Sequence, residues 1–106
     1  MSAPTPSPPE HERILREAAA RLSLVRFEEE RDLSYPREAA DAFVRGYLDG
    51  AAGAALERAV AHRGISAAGE DLAAFTYGWC RGRADLAGHR PAYEHVERWL
   101  SRRSLR

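Results

Sequence analysis

Apolar and polar positions alternate along the chain in a way that marks out four helical segments. From about Glu10 to Leu33, the residues Ile14, Ala18, Leu22, Val25 and Glu29 recur at three- and four-residue steps, with Leu15 beside them. That spacing is the stripe of an amphipathic helix. Ser34-Tyr35-Pro36 interrupts it and opens the next helix, with Ser34 or Tyr35 at the cap and Pro36 in the first turn. The second helix is predicted from about Pro36 to His62, with Gly64 as its stop. Ser66 can cap a third, from about Ala67 to Ala87, where Glu70 and Asp71 suit the positive end of the helix dipole. Gly88-His89-Arg90-Pro91 is the third break. The last helix runs from Pro91 to about Ser101 and carries Tyr93, Val96, Trp99 and Leu100. Val and Ile are scarce and never alternate with polar residues, so nothing reads as a strand. The expected fold is all-α: a small four-helix bundle or paired helical hairpins. It would comprise a disordered Pro-rich leader at 1–9, one helical domain at 10–101 and a basic tail at 102–106.

Within the two middle helices a motif recurs. Ala42-Phe-Val-Arg-Gly-Tyr-Leu-Asp-Gly-Ala-Ala52 returns 32 residues later as Ala74-Phe-Thr-Tyr-Gly-Trp-Cys-Arg-Gly-Arg-Ala84. The shared pattern is Ala-Phe-x-x-Gly-aromatic-x-x-Gly-x-Ala. Two copies are too few for a solenoid. At ~100° per residue, Phe43, Gly46, Gly50, Gly53 and Ala54 share one face, extended by Ala39 and Ala42. Phe75, Gly78 and Gly82 form the same face on the third helix. Each glycine inside a helix costs about 0.5–1 kcal/mol against alanine, so something must offset the penalty. Close approach of two backbones does so. The expectation is that the two middle helices cross closely at their glycine faces, with Phe43, Tyr47, Phe75 and Trp79 around the crossing. The crossing could lie within one chain or across a dimer axis, and a ligand slot over Gly46, Gly50, Gly78 and Gly82 is the functional alternative to packing.

Composition changes this picture in three respects. All 16 basic residues are Arg, and Lys, Asn and Gln are absent, a bias that GC-rich codons alone could produce. Of the 47 hydrophobic residues 20 are Ala, and Val, Ile, Leu and Phe number 19, which leaves little large apolar material for a core. The zero net charge is a sum of unequal parts: residues 1–80 hold 9 Arg against 13 acids, and residues 81–106 hold 7 Arg against 3. An acidic body and a basic end can attract each other within one chain or between two. The acidic run Glu28-Glu29-Glu30 near a helix end reads as a solvated terminus or as a docking patch.

Chemistry is sparse. Cys80 is the only cysteine, which excludes an internal disulfide and a CxxC metal site and fits a reducing compartment. Next to Trp79, it reads as a small packing residue rather than a nucleophile. Asp85 and His89 stand four apart and can pair, and Glu57 holds the repeat-equivalent position of His89. A cleft with these three could perform acid–base work, although an ion pair at a helix end explains two of them. Cys80, His89 and His95 match no zinc spacing, so no metal and no cofactor is expected. No nucleophile elbow, HExxH motif or phosphate-binding loop occurs. Arg98, Arg102, Arg103 and Arg106 form a basic patch that could meet an acidic protein surface or phosphates. The opening residues lack the basic flank and apolar run of a signal peptide, and no stretch approaches ~20 uncharged residues, so a cytoplasmic, non-membrane protein is expected. The sequence thus favours a binding or regulatory protein over an enzyme. Its expected partner is another protein or a second copy of itself, with nucleic-acid binding through the arginine end as an alternative and the Asp85/His89/Glu57 cleft as another.

Overall fold

The computed structural model describes residues 8–63 and 69–104. The leader before Pro8, the anticipated stop Gly64, the anticipated cap Ser66 and the tail residue Arg106 lie outside them. The described residues are all-helical, with no strand: α1 (Pro8–Arg31), α2 (Arg37–Ala51), α3 (Leu56–Arg63), α4 (Glu70–Ala87) and α5 (Tyr93–Ser104). The fold is a small helical bundle built on the packing of α2 against α4.

Five helices stand where four are predicted, because the long second helix breaks after Ala51. Gly53 adopts φ 84° and ends α2 in a left-handed turn. The Gly53 N–H donates to the Gly50 carbonyl and the Ala54 N–H to the Asp49 carbonyl, both at 3.0 Å. Two α4 side chains satisfy the carbonyls this turn leaves over. The Trp79 indole N–H donates to the Ala54 oxygen at 2.7 Å and Arg83 to the Gly53 oxygen at 3.4 Å. Gly53 therefore serves the turn and not the glycine face. Other ends follow the sequence more closely. Gly88, at φ 75°, closes α4, with the His89 N–H donating to the Ala84 carbonyl at 3.0 Å. Pro36 is the N-cap of α2 rather than its first helical residue, and offers no side-chain cap. Across that turn Glu28 accepts the Tyr35 N–H at 2.8 Å. The last helix starts two residues later than predicted and continues through Ser104.

α2 and α4 run in the same direction. A Cβ placed on Gly46 would strike the Phe75 carbonyl and stand 3.0 Å from the Trp79 nitrogen. On Gly50 it would strike the Trp79 carbonyl, on Gly78 the Phe43 carbonyl and on Gly82 the Tyr47 carbonyl. These contacts form two reciprocal pairs. Gly46 on Phe75 is answered by Gly78 on Phe43, and Gly50 on Trp79 by Gly82 on Tyr47. Exchanging the two copies of the repeat therefore maps the crossing onto itself: the repeat is a pseudo-twofold axis between parallel helices within one chain. The glycines let two backbones touch, the steric logic familiar from small-xxx-small helix pairs.

α1 lies antiparallel on this pair, with Arg21 3.6 Å from Asp41. Its inner face is Ala20, Ser23, Leu24 and Phe27, all buried. Phe27 sits among Phe43, Tyr77 and Tyr93 at ring-centre distances of 5.3, 4.9 and 5.9 Å. The Arg31 guanidinium covers the Phe27, Tyr77 and Tyr93 rings at 5.4, 5.1 and 5.3 Å and reaches Glu97 at 3.7 Å. Arg81 on α4 donates to Glu30 at 3.0 Å and to the Tyr93 hydroxyl at 3.1 Å. One arginine of residues 81–106, Arg81 on α4, thus meets the acidic end of α1 within one molecule, while the Arg31–Glu97 pair has the opposite polarity. All of these anchors hold the second half of α1; residues 8–18 are exposed, and Pro9, Glu12, Arg13, Arg16 and Glu17 line a shallow groove with Leu48 of α2.

Candidate functional site

The glycine crossing is filled. Phe43 and Phe75 are fully buried, Tyr47 nearly so, and backbone lies against backbone where a ligand slot would have to open. The eight residues singled out around it, Phe43, Gly46, Tyr47, Gly50, Phe75, Gly78, Trp79 and Gly82, come together as a packing interface.

The three acid–base candidates do not converge. Asp85 does not pair with His89. Its carboxylate accepts a hydrogen bond from the Tyr47 hydroxyl, across the α2–α4 crossing. Burial first, and then that bond, push the Tyr47 phenol up to about 12. His89 is exposed past the end of α4, with Nδ1 2.9 Å from the Arg90 carbonyl oxygen. Glu57 stands on α3, separated from the glycine face by the Gly53 turn, and receives the Trp99 indole N–H at 3.5 Å. Cys80 is buried, with Sγ 3.7 Å from the Ala92 carbonyl oxygen, and burial raises its pKa. Such a thiol is a poor nucleophile. Among the described residues no His, Cys, Asp and Glu group could hold a metal ion, and no helix is long and apolar enough to cross a membrane. Of the basic patch, Arg98 and Arg102 are exposed on α5; Arg106 lies outside the described residues, as does the side chain of Arg103.

The surface that stands out is the outer face of α1. The stripe read from the sequence is not the face that packs. Taking 100° per residue, Leu15, Ala18, Leu22 and Val25 centre roughly 180° from Ala20, Ser23, Leu24 and Phe27. Ile14, Leu15, Leu22 and Val25 are 50, 56, 51 and 49% exposed. α1 therefore carries two apolar faces and buries one. At its C-terminal end the outer face runs into a shallow groove of about 510 Å³ lined by Val25, Glu28, Glu29, Asp32, Leu33 and Ser34. Asp32 adopts φ 50° there, and the Leu33 N–H donates to the Glu28 carbonyl at 3.0 Å, which turns Leu33 outward beside the helix end. The readable signal was the second stripe: a helix apolar on opposite sides needs cover on both.

Comparison of the chain with protein-family models, with curated proteins and with solved structures finds no match.

Proposed function

We propose that this is a small docking protein whose working surface is the outer face of α1. One observation carries the reading: four large aliphatic side chains stand half-exposed in register on one helix, opposite the face that anchors it. Contiguous apolar surface rimmed by charge marks interaction sites in folded proteins. The anchoring by Phe27, Arg31 and the Arg81–Glu30 pair fixes the second half of α1 and presents the first half as a ready-made helix. Such a helix can enter a groove or pair with another helix, reading its target at three- and four-residue spacing.

The test is a Leu22→Glu substitution in the full chain. Leu22 points away from the core, so the circular dichroism spectrum and unfolding midpoint should stay close to wild type. Cross-linking in the native cell before lysis should capture a stoichiometric complex with the wild-type chain, composed of a partner protein or of further copies. The L22E chain should lose it. A wild-type chain that is cross-linked to nothing, or a complex that L22E leaves intact, defeats the proposal.

A further inference from the structure

We infer that the occupant of the α1 outer face is a second copy of the same chain, with the two α1 helices packed antiparallel. This rests on the reading of that face as the docking surface and adds which partner covers it.

Spacing and charge both select this occupant. Leu15, Ala18, Leu22, Val25 and Glu29 follow the alternating three- and four-residue steps of a two-helix seam. In the antiparallel arrangement with the longest apolar overlap, Leu15 faces the partner subunit's Val25, Ala18 faces the partner subunit's Leu22, and the reverse pairs complete four layers. Each layer matches a larger residue with a smaller one. On one flank of the seam Glu12 then lies beside the partner subunit's Arg26, and Arg26 beside the partner subunit's Glu12, giving two opposite-charge pairs. On the other flank Ile14 meets the partner subunit's Glu28, while Arg21 lies near its own copy at the twofold axis. That guanidinium is already drawn aside to Asp41, at 3.6 Å within its own chain. The parallel arrangement places Arg21 beside the partner subunit's Arg26 on both flanks, two like-charge contacts that disfavour it. The antiparallel pair also brings the exposed start of one α1 over the other copy's groove at Glu29 and Asp32. An assembly of this kind covers both exposed features at once.

Four layers make a small interface, so the dimer is weak and concentration-dependent. Sedimentation velocity of the full chain over roughly 1 µM to 1 mM reads it. The wild-type chain should pass from monomer to dimer in that range, and Leu22→Glu should remain monomeric throughout. Arg26→Glu and Glu12→Arg should each weaken the dimer by about tenfold, because each turns two attractive contacts into repulsive ones. The double swap should return it to near the wild-type constant. In a parallel dimer Arg26→Glu would instead strengthen association by relieving Arg21, and that result overturns the inference, as does an Arg26→Glu chain that dimerises like wild type. A wild-type chain that stays monomeric up to the highest concentration also overturns it. The docking reading would then stand or fall separately, on whether a different protein leaves the native-cell complex with L22E.

Discussion

Adding one methyl group at Gly78 tests the architecture most directly. On helix propensity alone, Gly78→Ala should stabilise α4 by about 1 kcal/mol. The structure requires the opposite sign. The new Cβ would lie on the Phe43 carbonyl oxygen, 2.8 Å from its carbon and 3.1 Å from the Phe43 Cα. These are backbone atoms of α2 and cannot swing aside as a side chain would. Relief comes only if the helices separate by about 1 Å along the crossing, and a gap of that size forfeits a quarter to a half of each dispersion contact it opens. Overpacking of this kind costs typically 1–3 kcal/mol, occasionally more. Given the rigid neighbours, and after the propensity gain is subtracted, a net loss of about 2 kcal/mol is expected.

The assay is urea unfolding followed by circular dichroism and tryptophan fluorescence. Gly46→Ala should behave as Gly78→Ala does, since the two are exchanged by the pseudo-twofold axis. The double variant should cost less than the sum, because one separation relieves both clashes. Gly53→Ala is the control: its Cβ would meet nothing within 4 Å, so only the positive φ of 84° opposes it, for about 1 kcal/mol. If Gly46→Ala and Gly78→Ala prove neutral or stabilising, the backbone contact on which the fold is built does not exist.

Two further outcomes follow from the packing. Tyr35 and Tyr47 are both raised to about 12, by burial first, so the folded chain holds these protons where the unfolded chain, near 10, releases them. Their contribution to stability is fully present below pH ~10 and is lost as the pH rises towards ~12, at about 1.4 kcal/mol per pH unit for each tyrosine. Tyr47→Phe should remove one such share from the slope of unfolding free energy between pH ~10 and ~11.5, and cost about 1 kcal/mol at neutral pH by ending the Asp85 hydrogen bond; slopes equal to wild type would contradict the assignment. Arg31→Ala should destabilise by about 1–2 kcal/mol in urea titrations, since it uncovers three rings and releases Glu97. Arg31→Lys should recover only part of this, because an ammonium lacks the planar face that stacks on the rings; full recovery would show that charge alone matters.

The sequence disclosed the crossing because glycine is expensive in a helix, and four glycines at matched spacing in two copies admit few explanations. It could not disclose that the crossing is parallel, because glycines four apart on two helices interlock in the same way whichever direction the second helix runs. It hid the Gly53 turn, since a glycine on the helical repeat, within an alanine-rich run, looks like one more member of the face. The acid–base trio failed for the same reason: repeat equivalence placed Glu57 on a helix that had already ended. Periodicity found the stripe at Ile14, Ala18, Leu22 and Val25 correctly. It could not tell which of two apolar sides α1 would bury, because the inner side is made of Ala20, Ser23, Leu24 and one large ring, Phe27. The aromatic cluster it joins comes from α2, α4 and α5, and only the tertiary fold assembles it.

That choice of side is where composition and surface meet. A chain with 19 Val, Ile, Leu and Phe residues has little large apolar material to spare. The α2–α4 crossing uses the smallest residues available and obtains its contact from backbone, so it needs few of them. Yet among the described residues six large hydrophobics are exposed: Ile14, Leu15, Leu22, Val25, Leu33 and Leu86. Five of those belong to α1 and the turn that follows it. Random leakage from a sparse core would scatter them, and single exposed apolar residues need no explanation. Their concentration on one helix, in register and opposite its anchored face, is the distribution expected when the missing part of the core is supplied by a partner.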